Sequence, residues 1–345
     1  MTKTQRKIKI RAESHRLTKP FTISRGHKNT ADVVVVEIND GSRIGRGECV
    51  PYGRYGETLE SVTAEIESIK PILEGSLNKL GHTFSREDLQ TAMHPGAARN
   101  AIDCALWDLE AQQSGLTVPD RLGLHPRPLP SAVTITLDTP ARMAQATKQL
   151  LHYTFQKKQL VKVKLGGEDG FAADIGRLSA IRDAAPEATL IVDVNEGWHP
   201  HEIISHVDAL KSFNIDLIEQ PLPADNDDIL KDIDLPFCAD ESVHDSDDLN
   251  HLNPGYDCVN IKLDKTGGLT EALKMLQLAR EKNLKVMVGC MVASSLSMMP
   301  AYFLGLQADY VDLDGPIWLE KDRENGLHFN HDQITLPTKP LWGWN

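Results

Sequence analysis

The sequence predicts an α/β protein: a parallel barrel of alternating strands and helices, preceded by a mixed α+β region. Three observations predict it. Eight short apolar runs recur at intervals of about 20 to 30 residues beyond residue 130. Amphipathic segments fill most of the gaps between them. Six of the eight runs finish in charged residues, and in a parallel barrel the carboxyl ends of the strands share one mouth. An open doubly wound sheet is the alternative arrangement of the same elements.

The first 125 residues do not alternate regularly. Lys7–Ile10 mixes charged and apolar residues, and Asp32–Ile38 contains the run Val33–Val36, a good buried strand. Asp40-Gly41 signals a turn, from which Ile44–Val50 returns as a hairpin partner. Helical spacing runs from Glu57 to Leu73 and stops near Gly75. A second helix spans Gly96 to Ser114, with Ile102, Ala105, Leu106 and Leu109 on one face and Gly115 as its stop. Pro126–Pro130 reads as a linker. The barrel strands follow: Ala132–Leu137, Leu160–Leu165, Thr189–Val194, Asp216–Ile218, Pro236–Ala239, Cys258–Ile261, Lys285–Val288 and Tyr310–Leu313. Helices are expected at Ala141–Leu151, Phe171–Ala185, Pro200–Phe213 and Gly268–Lys282.

With 345 residues, 41% of them hydrophobic, the chain can bury a large core. Its net charge of −12 disfavours phosphate backbones and anionic membranes, so neither nucleic acid nor membrane is expected as a partner. The five cysteines form no Cys-x-x-Cys motif and suit a reducing compartment. The basic start MTKTQRKIKI is not followed by a long apolar stretch, so it does not read as a signal peptide. A cytoplasmic protein is expected. Association into a homo-oligomer is left open.

The strand ends carry the chemistry. Asp193, Glu219 and Asp240 end three consecutive strands and should be neighbours around the ring. Three crowded carboxylates repel one another unless a cation joins them, and hard oxygen ligands suit Mg²⁺. Lys164 ends the strand before this trio and Lys262 the strand after it, so their ammonium groups should face each other. Residues two apart on a strand share a face, so Lys162 points inward with Lys164, and Asp312 with Asp314. The lysine pair can neutralise a carboxylate; the aspartate pair fits an ammonium group. Asn195 and Glu241 read as groups that orient ligands. Thr134 can reach a substrate from the first strand or simply pack in the barrel. His199 and His201 open a helix and read as a solvated face. Gly41-x₃-Gly45-x-Gly47 lacks the following helix of a dinucleotide site, and Lys265-Thr266-Gly267 has its glycine on the wrong side for a phosphate loop.

These residues resemble the enolase superfamily in its muconate-lactonizing subgroup, and within it the L-Ala-D/L-Glu type of dipeptide epimerase. The matching motifs are VKVKLGG (161–167), LIVDVNEGW (190–198), LIEQPLP (217–223), CADES (238–242), VNIKLDKTGGLTEAL (259–273) and DLDGP (312–316). FTISRG (21–26), GECVPYGRYGE (47–57) and GAARNAIDCALWDLEA (96–111) extend the likeness over nearly the whole chain. The resemblance implies a modified (β/α)₇β TIM-like barrel over residues 126–317, under an α+β capping domain of residues 1–125. The tail, 318–345, would pack back on the cap. Cap loops near Arg25 and Pro51–Tyr55 would close over the site.

It further implies one Mg²⁺ per subunit held by Asp193, Glu219 and Asp240. Lys164 and Lys262 would move a proton off and onto opposite faces of the α-carbon of the C-terminal residue of a dipeptide. Such a lysine needs a pKa below its ordinary value of about 10.4, and a nearby cation should depress it. Lys162 would attend the substrate carboxylate, Asp312 and Asp314 the α-ammonium, Thr134 the peptide, and Arg25 an acidic side chain. Recycling of murein peptides would supply the substrate. The alternatives are an o-succinylbenzoate synthase, an N-acylamino-acid racemase or a cycloisomerase of the same subgroup; their substrates carry no free α-ammonium, against Asp312-x-Asp314. A barrel that only binds acidic peptides is the non-enzymatic alternative.

Overall fold

The computed structural model describes residues 6–75, 83–152, 159–330 and 333–343; the first half of the basic N-terminal stretch, 1–5, lies outside the described residues. Strands β1 (Lys7–Ile23), β2 (Gly26–Asn39) and β3 (Ile44–Cys49) form an antiparallel sheet in that order. The β2–β3 hairpin forms as its turn residues predict, with Val34 opposite Cys49. Strands β1 and β2 run well past their apolar stretches, through a register shift between Arg16 and Phe21, to a tight turn between Ile23 and Gly26. That turn carries Arg25 away from the sheet.

Helices α1 (Leu59–Glu74), α2 (Arg86–Ala92), α3 (Ala97–Ser114) and α4 (Val118–Leu122) follow. Thr58 caps α1 in a reciprocal box with Ser61, and the Val62, Ile66, Ile69, Leu73 stripe faces inward. Helix α3 is buried along most of its length. It lies so close to β3 that a Cβ at Gly47 would sit 2.0 Å from the Ala101 carbonyl oxygen, and one at Gly45 2.1 Å from that of Ala105. The glycine spacing there serves close backbone approach.

Short strand β4 (Leu129–Pro130) precedes the barrel. The barrel elements are β5 (Val133–Ile135), α5 (Pro140–His152), β6 (Leu160–Lys164), α6 (Phe171–Ala184), β7 (Thr189–Asp193), α7 (Pro200–Ser205), α8 (Val207–Ser212), β8 (Leu217–Glu219), β9 (Phe237–Ala239), β10 (Tyr256–Ile261), α9 (Leu263–Thr266), α10 (Leu269–Glu281), β11 (Lys285–Val288), α11 (Ser295–Gly305) and β12 (Tyr310–Val311). Strands β5 to β12 pair in sequence order, all parallel. The ends meet where the Ala132 N–H donates to the Val311 carbonyl at 2.7 Å. The expected barrel is therefore observed, beneath a three-stranded sheet with its helices.

Some elements differ from expectation. The 200–213 helix breaks at His206 into α7 and α8. Short 3₁₀ turns, Asp228–Asp232 and Asp248–Asn250, stand between β8 and β9 and between β9 and β10. Helix α11 has no polar face and contains Pro300; it is buried throughout, so amphipathic spacing does not reveal it. The 126–130 segment is not merely a linker: β4 pairs with β14 (Gln333–Thr335), which also pairs with β13 (His328–Asn330).

The tail contacts the first region repeatedly. Leu319 bridges Leu17, Arg323 pairs with Glu48 and Glu13, and the Trp342 indole donates to the Cys104 carbonyl. Among the described residues no helix is long and apolar enough to cross a membrane.

The inner face of the barrel explains where the site lies. Ile191, Leu217, Cys238, Cys258 and Met287 form one buried apolar cluster. Two residues further along four of these strands come Asp193, Glu219, Asp240 and Asn260. Because the side-chain period is two, the same inward face changes from an apolar floor to a charged mouth.

Candidate active site

A cavity of about 300 Å³ opens at the carboxyl ends of the strands, under the β1–β2 turn and the 50–54 loop. Its lining includes Arg25, Thr134, Lys162, Lys164, Asp240, Lys262, Asp312 and Asp314. Asp193 and Glu219 lie just behind, fully buried. The structure thus gathers all ten candidate residues at one mouth.

Pairing register fixes their order. Lys164 lies opposite Asp193, and Asp193 opposite Glu219. Asp240 immediately follows β9, and Lys262 immediately follows β10. Five consecutive strands therefore present ammonium, three carboxylates, then ammonium. The Lys164 Nζ lies 2.5 Å from Asp193 Oδ2, and the Lys262 Nζ 2.6 Å from Asp240 Oδ2. Lys162 stands between, with its Nζ 3.0 Å from Asp193, 2.7 Å from Glu219 and 2.8 Å from Asp312.

The electrostatics is uneven. Burial pushes the Asp193 carboxyl up, but Lys162 and Lys164 outweigh it and hold it well below the usual range. Asp240 is likewise held down, by Lys262 and Lys265 against burial. Glu219 goes the other way, pushed up to about 7 by burial and by the charges of Asp193 and Asp240. Burial lowers Lys262, yet Asp240 and Glu219 overcome it and raise its ammonium well above the ordinary lysine value. Without a cation at the trio, the carboxylates beside it dominate.

The carboxylate trio suits a hard cation. The three groups sense one another's charge, and Glu219 Oε2 is buried without an aligned hydrogen-bond donor, although Lys162 is near. Among the described residues no three carboxylate, imidazole or thiol groups already close on a single point; the lysines stand between them. A divalent ion would relieve the repulsion that raises Glu219.

On the far side, Asp314 Oδ2 accepts from the Thr134 N–H at 2.8 Å and the Trp318 indole at 3.3 Å. Burial and Asp312 push Asp314 up to about 6. Asp312 Oδ1 is buried with no donor. Both carboxyls favour a positive neighbour.

Arg25 is tied to the barrel mouth. It donates to Glu241 Oε1 at 2.8 Å, the Asn195 carbonyl at 2.9 Å, the Tyr52 hydroxyl at 3.1 Å and Glu196 at 3.3 Å. Arg54 grips Glu196 with two 2.8 Å bonds. Glu196 was not singled out from the sequence, nor were Tyr52, Arg54 and Lys28 on the cavity wall, though a closing 51–55 loop was expected. Asn195, Glu196 and Gln220, just past β7 and β8, have left-handed backbones that redirect the chain at the mouth. Asn195 accepts weakly from Lys164 at 3.3 Å. His199 and His201 stack on each other at the exposed start of α7, away from the cavity.

Two family models match this chain. One, the mandelate racemase/muconate lactonizing enzyme N-terminal domain, covers residues 5–123; the other, described as enolase C-terminal domain-like, covers residues 142–344. The chain belongs to the mandelate racemase/muconate lactonizing enzyme family of the enolase superfamily. Among family relatives, the L-Ala-D/L-Glu epimerase of Escherichia coli is 42% identical over 96% of this chain and 100% of its own. An N-acetyl-D-glutamate racemase of a Pseudoalteromonas species is 41% identical over 90% of this chain and 95% of its own. An enolase family member from Agrobacterium tumefaciens with homology to dipeptide epimerases was solved with sodium and L-Ala-L-Glu. It is 45% identical, with TM-score 0.89 over 98% of this chain and 100% of that one. A dipeptide epimerase from Enterococcus faecalis, solved with Mg and L-Leu-L-Tyr, is 28% identical, with TM-score 0.86 over 99% of both chains.

Proposed function

We propose that this chain is a Mg²⁺-dependent dipeptide epimerase of the L-Ala-D/L-Glu type, inverting the α-carbon of the C-terminal residue. The observation that carries the reading is the order lysine, three carboxylates, lysine on consecutive strands, with the Asp312–Asp314 pair across the cavity. Asp193, Glu219 and Asp240 hold the cation. A bound Mg²⁺ supplies electrostatic stabilisation for the charge that develops on the substrate carboxylate.

The rest is the work of this chain's own groups. Lys162 adds a positive charge toward that carboxylate. Lys164 and Lys262, on opposite flanks, exchange protons with opposite faces of the α-carbon, one accepting as the other donates. A neutral lysine is needed for the accepting step; sharing Asp240 and Glu219 with a divalent ion weakens the support that keeps Lys262 charged. Asp312 and Asp314 receive the α-ammonium, beside Thr134. Arg25 receives a side-chain carboxylate by exchanging it for part of its present acidic contacts. On this reading residues 1–125 are the cap, 126–317 the barrel, and 318–345 the returning tail. The enzyme works in the cytoplasm on peptides from cell-wall turnover.

The relative that racemises N-acetyl-D-glutamate gives the second reading: an N-acyl-glutamate in place of a dipeptide. The donor-free Asp312 oxygen favours a substrate with a free ammonium. The test is α-proton exchange in D₂O with Mg²⁺, comparing L-Ala-L-Glu with N-acetyl-L-Glu by mass spectrometry. Faster exchange on the dipeptide is expected. A preference for the acylated amino acid would overturn the assignment, and exchange on neither would remove the enzymatic reading.

A further inference from the structure

Lys265 lies three residues after Lys262, on the single turn α9, and its side chain is fully buried. It does not line the cavity. Its ammonium lies 2.6 Å from Asp240 Oδ1, 2.6 Å from the Asp240 carbonyl, 2.9 Å from the Asn260 carbonyl and 3.0 Å from the Val243 carbonyl. An ammonium has three protons, so these four oxygens use all it can give. Asp240 is thus gripped from two sides. Lys262 takes Oδ2 from the cavity side, and Lys265 takes Oδ1 from behind. The same strand end also aligns the neighbouring carboxylate, since Asn260 Nδ2 donates to Glu219 Oε1 at 2.7 Å.

We infer that Lys265 is a positioning residue for the cation site: it holds Asp240 Oδ1 away from the ion and leaves Oδ2 as the single oxygen offered to it. It also ties the end of β9 and the loop after it to the end of β10, so the third ligand and Lys262 move as one unit. This rests on the reading of Asp240 as a Mg²⁺ ligand.

The test is a Mg²⁺ titration by calorimetry on the full-length protein and on the variants K265M, K265Q, D240N and D240N/K265M. K265Q keeps an N–H donor for the carbonyls and drops the charge. The sign of the change is diagnostic. Loss of a positive charge beside Asp240 would by itself tighten Mg²⁺ binding, whereas loss of alignment weakens it. Both single Lys265 variants should bind Mg²⁺ roughly 10- to 100-fold more weakly, the usual effect of removing a group that orients a ligand. In the D240N background K265M should weaken binding no further.

Unchanged or tighter binding in folded K265M and K265Q overturns the inference, and so does an additive loss in the double variant. If neither single Lys265 variant folds, recovery of folding in the double variant supports Asp240 as the group served, and failure to recover overturns it. D240N separates the two levels. If D240N binds Mg²⁺ as well as the parent, the metal assignment itself falls; if D240N is weak and the Lys265 variants are not, only the role of Lys265 falls.

Discussion

The barrel mouth and the seam between the first region and the barrel both bury carboxylates, yet they treat them in opposite ways. At the seam Asp103 accepts from the Thr270 N–H and hydroxyl and from Gln90. Asp264 accepts from the Val50 N–H and Asn100, and Asp108 from the Arg46 and Gly343 N–H groups. These directly bonded donors are neutral. Burial dominates, pushing Asp103 up to about 6, Asp264 up to about 7 and Asp108 upward. At the mouth, lysines lie directly on Asp193 and Asp240 and hold them ionised, while Glu219 between them is pushed up. Seam carboxylates act as fixed acceptors that join two regions. At the mouth Asp193 and Asp240 are kept as anions by cations on flexible stems, an arrangement that another cation can replace.

The comparison breaks most visibly if the mouth lysines are structural. Lys164→Ala and Lys262→Ala should each lower the rate of epimerisation of L-Ala-L-Glu by roughly 10²- to 10⁴-fold, the range for general acid–base groups. Neither should unfold the chain, because Asp193 keeps Lys162 and Asp240 keeps Lys265. Normal epimerisation in either variant, scored by chiral chromatography beside a circular-dichroism control, would place the pair outside the reaction. A smaller loss is expected from Glu219→Gln. It should weaken Mg²⁺ while making the metal-free chain more stable to urea at pH 8, since it removes the crowded charge. Lower stability would mean that Lys162 holds Glu219 as an anion, as it holds Asp193.

The two regions also differ in how far the sequence reveals them. The mouth is legible because strand periodicity is two: an apolar residue followed two places later by Asp or Glu marks an inward face reaching the barrel rim. Asp193, Glu219 and Asp240 announce themselves this way, as do Lys162 and Lys164. The seam is not legible, because Asp103 takes the polar side of a helix whose apolar face reads as Ile102, Ala105, Leu106 and Leu109, and Asp264 sits on the single turn α9, too short to show a period. Only the packing of α3 against α10 shows that the Asp103 side is covered. Lys265 is hidden for a related reason: its partner Asp240 lies 25 residues away in sequence, on the neighbouring strand end. Helix α11 is hidden by uniform apolarity, and the Arg54–Glu196 pair by a separation of 142 residues.

Arg25 lies where the cap's β1–β2 turn meets the mouth and sharpens the contrast. Arg25→Met should raise KM for L-Ala-L-Glu by roughly 10-fold or more, the worth of a hydrogen bond to a charged group, and change KM for L-Ala-L-Leu much less. Equal changes in both would make Arg25 a latch on Glu241 and Glu196 with no part in choosing the substrate.

The seam gives an effect on stability rather than on rate, and its sign is set by the direction of the pKa shift. Asp103 is raised from 3.8 to about 6, so between those values the folded chain binds the proton that the unfolded chain has lost. Its contribution is fully present below about pH 4 and is lost as pH rises through about 6. Asp103→Asn removes this titration, so the stability difference, parent minus variant, should fall across that window and then level off. The fall is at most about 3 kcal/mol at 1.36 kcal/mol per pH unit. Mouth carboxylates with depressed values lean the other way, which is why the difference between the two proteins, measured by urea unfolding at several pH values, is the quantity to follow. A flat difference would mean that Asp103 is ionised without penalty, through the nearby guanidinium groups of Arg86 and Arg99, and the seam would then resemble the mouth.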